Sequence, residues 1–387
     1  MRPSVAGDLV RIAYVIGELG KGGAESQLYE LVRGLDRRRF LPRVFALAAG
    51  GYWAAPLRDL DVEVVEFPGA RSADLSRLVG LRRALAGFAP RILHTVLWSG
   101  NAYGRLASVG LGIPVVITAE RNVIRRPGWQ VVLERGLDVL TGRYLVNSAA
   151  IARELVGHGR LPRGKMQVIY NGIDLARVPP FEPDRRAART ALGFDPARRL
   201  VAQVGRLEAQ KDYPTYLAAA ARIVAHVPDV DFLAVGEGGL RGDLERQAQA
   251  LGIGHRVRFT GIRHDVPALL AGVDVCTLTS LYEGLPNVVI EAMATGAVVV
   301  ATDVGGAREL IVSGEMGRIV APRDPVAVAD AVMRLLDDPT GMRAMALAAR
   351  RRIEDAFTVQ AMVERTVQAY DDLLRATGRG APVRHAA

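Results

Sequence analysis

The chain has 387 residues, half of them hydrophobic, with a formal net charge of +9. That length exceeds the about 250 to 300 residues at which a single core stops growing, so two domains are expected. No uncharged apolar run reaches the roughly 18 residues of a spanning helix, and the N-terminus runs into a strand pattern without a cleavable leader, so a cytoplasmic protein is expected. The single cysteine, Cys276, sits in the apolar run DVCTLT; it offers neither an intramolecular disulfide nor a thiolate metal cluster and reads as core filler.

In chain order, the first half carries short runs rich in β-branched residues: RIAYVIG, RVFALA, VEVVEF, RILHTV, VVITAE, RYLVNS and MQVIYNG. Helix-length segments such as AESQLYELVRGLD and SRLVGLRRALAGF separate them. The stretch Leu175 to Asp195 (with RVPPFEPDRRAART) replaces this pattern with proline, charge and alanine and reads as a junction. The pattern then resumes with RRLVAQVG, DFLAVG, RVRFTG, DVCTLTS, AVVVATD and GRIVA. Near-continuous apolar strands alternating with amphipathic helices mean parallel sheets covered on both faces. The expected fold class is therefore α/β, with two doubly wound domains facing each other across a cleft. Charge divides unevenly between the halves: Lys plus Arg against Asp plus Glu is 25 against 15 for residues 1–180 and 25 against 26 for residues 181–387. The excess in the first half suits an anionic partner, whether a lipid surface, a phosphate-bearing substrate or nucleic acid, of which nucleic acid is not the expected one.

In doubly wound sheets ligands sit beyond the carboxyl ends of the strands, where helix N-termini favour anions. Four segments fall there. KGGAES (21–26) follows the opening strand, and Gly22 and Gly23 allow close backbone approach to a ligand. VGRLEAQKDY (204–213) places Arg206 and Lys211 five residues apart, a cationic clamp for a diphosphate. VGEGGLRG (235–242) looks like a dinucleotide fingerprint but has the wrong glycine spacing and follows the wrong strand, so it reads as a tight turn. In SLYEGLPNVVIEAMATG (280–296), Pro286 suits the first helical position, and the amides of Leu285, Asn287 and Val288 would point at the cleft. The carboxylates of Glu283 and Glu291, costly in so apolar a setting unless partnered, would accept hydroxyls of a sugar and a ribose.

EGLPNVVIEAMATG, with Glu283 and Glu291 as an E-x7-E pair, resembles the signature of the retaining group 1 glycosyltransferases of GT-B architecture. GGAE, VIYNGID (168–174), VGRLEAQKDY, VGEG, RVRFTG and ATDVGGARELI (301–311) extend the resemblance over nearly the whole chain. It implies an acceptor-binding Rossmann-like domain over 1–180, a nucleotide-sugar donor domain over 181–355, and a C-terminal helix that crosses back, with a tail, over 356–387. It implies that Glu283 contacts the transferred sugar and Glu291 holds the ribose. Arg206 and Lys211 would neutralise the diphosphate, Gly23 would let the first lobe approach it, and Ile262 and Arg263 would frame the base. Neither metal nor cofactor is expected, since the nucleotide-diphosphate sugar is itself a substrate. The D-x-D spellings at Asp59–Asp61 and Asp229–Asp231 precede strands, away from the cleft, and read as turns.

The chain also departs from this family. VVITAERN places Glu120 and Arg121 where many members carry His beside the sugar; His94 survives from a His-rich segment, whereas Trp98 and Ser99 do not match it. Transfer to a lipid-linked acceptor in polysaccharide or glycolipid assembly is the expected activity. Trp129 and the basic segments around it, including Arg125 and Arg126, suit an anionic membrane surface. An epimerase-like enzyme or a non-catalytic binding protein of the same fold is the alternative. A pyridoxal-dependent phosphorylase would need a lysine beyond Lys21, Lys165 and Lys211.

Overall fold

A computed structural model describes residues 9–68, 74–121, 127–158, 161–181 and 184–378. Arg125 and Arg126 lie outside the described residues. The chain divides into two compact units, one of Met1–Gly172 with Val359–Ala387 and the other of Ile173–Thr358. The division falls just ahead of the proline-rich junction read from the sequence, whose helix Arg185–Ala191 belongs to the second unit.

The first unit is built on seven parallel strands: β1 (Val10–Ile16), β2 (Phe40–Ala46), β3 (Glu63–Glu66), β4 (Ile92–Val96), β5 (Val115–Glu120), β6 (Arg143–Val146) and β7 (Met166–Val168). Their order is β3-β2-β1-β4-β5-β6-β7, so the winding direction reverses between β1 and β4. β1 shows why the strand pattern is continuous rather than alternating. Ile12, Tyr14 and Ile16 face one core with Leu28 and Val32 of helix Gly23–Gly34. Ala13 and Val15 face the other with Leu81 and Leu85 of helix Leu75–Phe88. With side chains alternating across the sheet and both faces covered, Ile12 to Ile16 form an unbroken buried run, and Arg11 stands at the exposed amino end of the strand.

The helix Val359–Ala376 belongs to this first unit. Its buried residues Val359, Met362, Val363, Thr366, Ala369, Tyr370 and Leu374 recur at helical spacing, and the apolar members of that stripe join the core around Tyr14. The Tyr370 hydroxyl lies 3.1 Å from that of Tyr14 and 2.6 Å from Nδ1 of His94, so a buried polar chain ties this helix to β1 and β4. His94 is therefore a satisfied core residue on this nitrogen. Burial, reinforced by the positive charge of Arg121, depresses its pKa to about 3.

The second unit holds six parallel strands: β8 (Arg199–Val204), β9 (Val230–Val235), β10 (Val257–Gly261), β11 (Val275–Leu278), β12 (Val298–Thr302) and β13 (Gly317–Val320). The order β10-β9-β8-β11-β12-β13 repeats the same reversal, here between β8 and β11. Cys276 is fully buried in β11. Two α/β units of parallel sheet with interleaved helices are what the alternating pattern predicts.

The buried His94 generates a pH prediction. Its folded pKa lies far below the unfolded value of about 6.5, so unfolding takes up a proton once the pH drops below that value. The stability that neutral His94 contributes is complete above about pH 6.5 and is lost as the pH falls toward 3, at about 1.4 kcal/mol per pH unit. Thermal unfolding at about pH 7.5 and pH 5 should show a smaller acid-induced drop in midpoint for His94→Gln than for the parent chain. Equal drops would mean that His94 does not stay neutral.

Candidate active site

The carboxyl edge of the second sheet is where the sequence-predicted residues gather. The loop after β8, ending in the short 3-10 turn Ala209–Lys211, and the loop after β11 leave neighbouring strands at the winding reversal. They are sewn to each other. The Leu281 amide donates to the Gln210 carbonyl at 2.8 Å, and the Gln210 side-chain amide donates to the Tyr282 carbonyl at 2.9 Å. Beneath them Gln203 of β8, 2% exposed, donates to the Lys211 carbonyl at 3.0 Å and accepts from the Thr279 hydroxyl at 3.0 Å. That hydroxyl also lies 2.9 Å from the carbonyls of Lys211 and Asp212.

These pins bring Lys211 Nζ within 2.5 Å of the Glu283 carboxylate, and the Ser280 hydroxyl donates to the same oxygen at 2.7 Å. The two side chains are only 16% and 8% exposed. Desolvated charges this close are tolerated because each satisfies the other and the serine supplies a further bond. Arg206, exposed on the same loop, donates to the Gln210 side-chain oxygen at 3.2 Å.

Glycines shape the surrounding backbone. A Cβ on Gly236 (φ +138°) would stand 2.0 Å from the Gly205 carbonyl oxygen, and one on Gly238 would stand 2.4 Å from that of Leu207. The VGEGG segment is thus a close-packed support under the β8 loop, fixed by the Leu207 amide donating to the Glu237 carbonyl at 2.9 Å. On the other side a Cβ on Gly305 (φ +52°) would stand 2.1 Å from the Glu283 carbonyl oxygen, and the Gly306 amide donates to the Gly284 carbonyl at 2.7 Å.

The helix Asn287–Thr295 starts directly beyond this loop, with Pro286 as its N-cap, one position before the first helical position expected for it. Leu285 and Val288 are buried at its entry. Glu291 follows one turn after Asn287 on the same face. Burial raises its pKa to about 7, and its charge helps burial push the Cys276 thiol up to about 12. Among the described residues no donor lies within hydrogen-bond distance of the Glu291 carboxylate. Ile262 and Arg263 follow β10 on the same edge of the sheet. Ile262 is 49% exposed, and Arg263 is held by Asp265 through bonds of 2.8 and 2.5 Å.

Gly22 and Gly23 lie in the first unit, at the carboxyl edge of its own sheet. Gly22 is the N-cap of helix Gly23–Gly34, where a Cβ would stand 2.2 Å from the Glu25 carboxylate. Arg121, just after β5, donates to Asn171 at 2.6 Å; burial lowers its pKa to about 10, opposed by the charge of Glu25. The buried Glu120 accepts from Asn101 at 2.8 Å. The D-x-D spellings lie at the opposite, amino edges: Asp61 sits in a left-handed turn before β3, and Asp231 in β9 pairs with Arg198 and Arg256. Among the described residues no group of three His, Cys, Asp or Glu could hold a metal ion.

The sequence reading missed Gln203, Gln210, Thr279 and Ser280. The available signal was the polar residue inside the apolar strand RRLVAQVG and the hydroxyls that end DVCTLTS, since buried polar groups require partners.

Two doubly wound units of this order suit the GT-B architecture, and comparison with known proteins supplies the family. Residues 198–338 match the family described as glycosyl transferases group 1, and residues 21–177 that described as glycosyltransferase family 4. The chain belongs to the group 1 glycosyltransferases. It is 31% identical over 306 residues to a D-inositol 3-phosphate glycosyltransferase of Mycolicibacterium gilvum, covering 73% of this chain and 68% of that one. It is 26% identical over 313 residues to an Escherichia coli UDP-Gal:alpha-D-GlcNAc-diphosphoundecaprenol alpha-1,3-galactosyltransferase, covering 78% and 80%. In fold it is similar to Anabaena HepE, solved with UDP and glucose, with a TM-score of 0.84 at 23% identity over 94% of this chain and all of that one.

Gly305 tests the packing of the site. Gly305→Ala forces a side chain into a left-handed backbone and onto the Glu283 carbonyl, so it should cost about 1 to 3 kcal/mol and displace the Glu283 loop. A lowered unfolding midpoint together with weakened nucleotide binding is expected. A variant indistinguishable from the parent in both would show that the Gly305 loop does not support Glu283.

Proposed function

We propose that the second unit binds a nucleotide-diphosphate sugar at the carboxyl edge of its sheet and that the enzyme transfers the sugar with retention of anomeric configuration. The observation that carries this reading is the Lys211–Glu283 pair, a partly desolvated cation and anion on adjoining loops beside the start of helix Asn287–Thr295. A diphosphate takes the cation, and a sugar hydroxyl takes the anion. Arg206 and Lys211 neutralise the diphosphate, helped by the amides around Leu285, Asn287 and Val288. Glu283 accepts from the sugar, Glu291 from the ribose hydroxyls, and Ile262 and Arg263 flank the base. In the first unit Gly22 and Gly23 offer helix N-terminal amides to an anion.

Transfer breaks the bond from the anomeric carbon to the phosphate oxygen and forms one to the acceptor oxygen on the same face. The acceptor proton passes to the departing phosphate oxygen. Arg206, Lys211 and the amides stabilise the charge that grows there, so neither a metal nor a cofactor is required.

The acceptor is proposed to be lipid-linked, as in the name of the Escherichia coli relative. No helix among the described residues is long and apolar enough to cross a membrane. Peripheral contact with the inner face of the cytoplasmic membrane is instead supported by exposed apolar residues of the first unit beside arginines. Leu75 and Val79 are exposed on the helix that also exposes Arg82 and Arg83, and Trp129 and Val132 on the helix that exposes Arg135.

Two tests follow. Glu283→Ala should lower the transfer rate at least about 100-fold while nucleotide diphosphate still binds, whereas Arg206→Ala and Lys211→Ala should each weaken nucleotide binding about tenfold as well. Near-normal turnover by Glu283→Ala, or unchanged nucleotide affinity in both cation variants, would remove these assignments. Separately, the protein should co-sediment with anionic but not neutral liposomes, release with salt, and bind several-fold more weakly as Arg83→Ala, since each basic residue at the surface is worth about 1 kcal/mol. A protein that stays in the supernatant with acidic liposomes at low salt has no such surface.

A further inference from the structure

The first unit holds a small cavity toward the carboxyl ends of its strands. His94 of β4, Arg121 just after β5, Asn147 just after β6 and Thr366 of helix Val359–Ala376 line it, and Leu31 and Ile169 belong to its apolar wall. His94 and Asn147 are only 2% and 4% exposed. The cavity leaves about 20 Å³ open to the centre of a water molecule. On that measure one water needs about 10 to 15 Å³, together with two to four polar partners, so the space suits a single water.

The polar partners are at hand. Three buried side-chain atoms of this lining, His94 Nε2, Arg121 Nε and Asn147 Oδ1, have no hydrogen-bond partner among the described residues. Buried polar atoms seldom go unsatisfied, and here three of them belong to one cavity. Their roles follow from the chain of bonds behind them. His94 Nδ1 lies 2.6 Å from the Tyr370 hydroxyl, which lies 3.1 Å from that of Tyr14. Burial keeps all three groups uncharged. When Tyr14 donates to Tyr370 and Tyr370 to Nδ1, every hydroxyl hydrogen is used and Nε2 carries the ring proton. The reverse order would leave the buried Tyr14 hydrogen without an acceptor among the described residues. Two donors, His94 Nε2–H and Arg121 Nε–H, therefore accompany one acceptor, Asn147 Oδ1. Thr366 adds a second acceptor, because its hydroxyl spends its hydrogen on the Met362 carbonyl at 2.8 Å. An anion would satisfy only the donors, and the Arg121 charge is already opposed by Glu25.

We propose that this cavity is the site of one internal water molecule, which accepts from His94 Nε2–H and Arg121 Nε–H, donates to Asn147 Oδ1 and Thr366 Oγ1, and so fixes His94 in its Nε2–H tautomer. Two donors and two acceptors match the two lone pairs and two hydrogens of water. The water joins the ends of β5 and β6 to β4 and to helix Val359–Ala376, and it holds the inner side of the Arg121 guanidinium while Nη1 donates to Asn171. The proposal does not depend on which nucleotide sugar is the donor.

Nitrogen-15 labelling of the six histidines of the full chain tests it by nuclear magnetic resonance. The His94 signals, identified by their loss in His94→Gln, should have the nitrogen shifts of a neutral ring protonated at Nε2, and the Nε2 proton should give a nuclear Overhauser cross-peak to a long-lived water. A crystal structure of the full chain should show one water peak about 2.7 to 3.2 Å from both His94 Nε2 and Asn147 Oδ1. Crystals grown in bromide should show no anomalous peak there. Asn147→Leu, which removes an acceptor, should lose the water cross-peak, and Asn147→Asp, which keeps one, should retain it. Should Asn147→Leu not fold, the measurements on the parent chain decide alone. The proposal is overturned if the ring proton is on Nδ1, if the cavity shows no peak, if bromide occupies it, or if the cross-peak survives in Asn147→Leu.

Discussion

The ion pair between Lys211 and Glu283 is the constraint around which the second unit is arranged. A lysine and a glutamate so far removed from water would each be costly alone, and their attraction offsets that cost only while the two loops hold them together. The nearby polar residues serve this end. Gln203 and Thr279 fasten the lysine's own backbone to β8 and β11, Ser280 completes the carboxylate, and Gln210 links one loop to the other. Gly236, Gly238 and Gly305 let adjacent loops approach within distances that any side chain would forbid. A pair of opposite charges assembled at such expense, at the point where the sheet reverses its winding, is the feature on which the proposed binding of a ligand with both an anionic group and hydroxyls rests.

The first unit repeats the topology with different chemistry. Its sheet also reverses beside its opening strand, and its glycine loop also caps a helix at the carboxyl edge. There the buried polar groups work mainly on one another. Gln27 both donates to and accepts from the backbone of Gly172, Arg121 holds Asn171, and Tyr370 joins Tyr14 to His94. Two units on one plan therefore differ in what their strand ends do: one pairs a cation with an anion across two loops, and the other directs its polar groups to holding Asn171, Gly172 and the helix Val359–Ala376.

Much of this was legible in the sequence, and the reasons are physical. Strands covered on both faces leave unbroken apolar runs, so the parallel sheets could be read directly. Glu283 and Glu291 stood out because charge in an apolar context demands explanation, Arg206 and Lys211 because they stand five apart in a loop at a strand's carboxyl end, and all four lie along one edge of one sheet. What the sequence did not show was how they are held. Nothing in the spacing of Lys211 and Glu283, 72 residues apart, reveals that they bond to each other, because that contact depends on strand order rather than on local pattern. Gln203 and Thr279 were overlooked because a single polar residue inside a strand is easily taken as surface-facing. The glycines of VGEGG read as a turn because close approach to another loop leaves no mark on the local sequence. His94, by contrast, was visible as a residue but not as a role, since its partner Tyr370 lies 276 positions away.

The most direct measurement of the central claim uses the scarcity of lysine. The chain has only Lys21, Lys165 and Lys211, so protein labelled at the lysine ε-position should give three side-chain signals by nuclear magnetic resonance, with Lys211 assigned by its loss in Lys211→Arg. Titration with UDP, GDP and ADP should shift the Lys211 signal saturably with at least one of them, as Nζ exchanges the Glu283 carboxylate for phosphate, while Lys165, bonded to Asp138, stays in place. A Lys211 signal that does not move at saturating concentrations of a nucleotide that binds would contradict the assignment of this ion pair as the donor site.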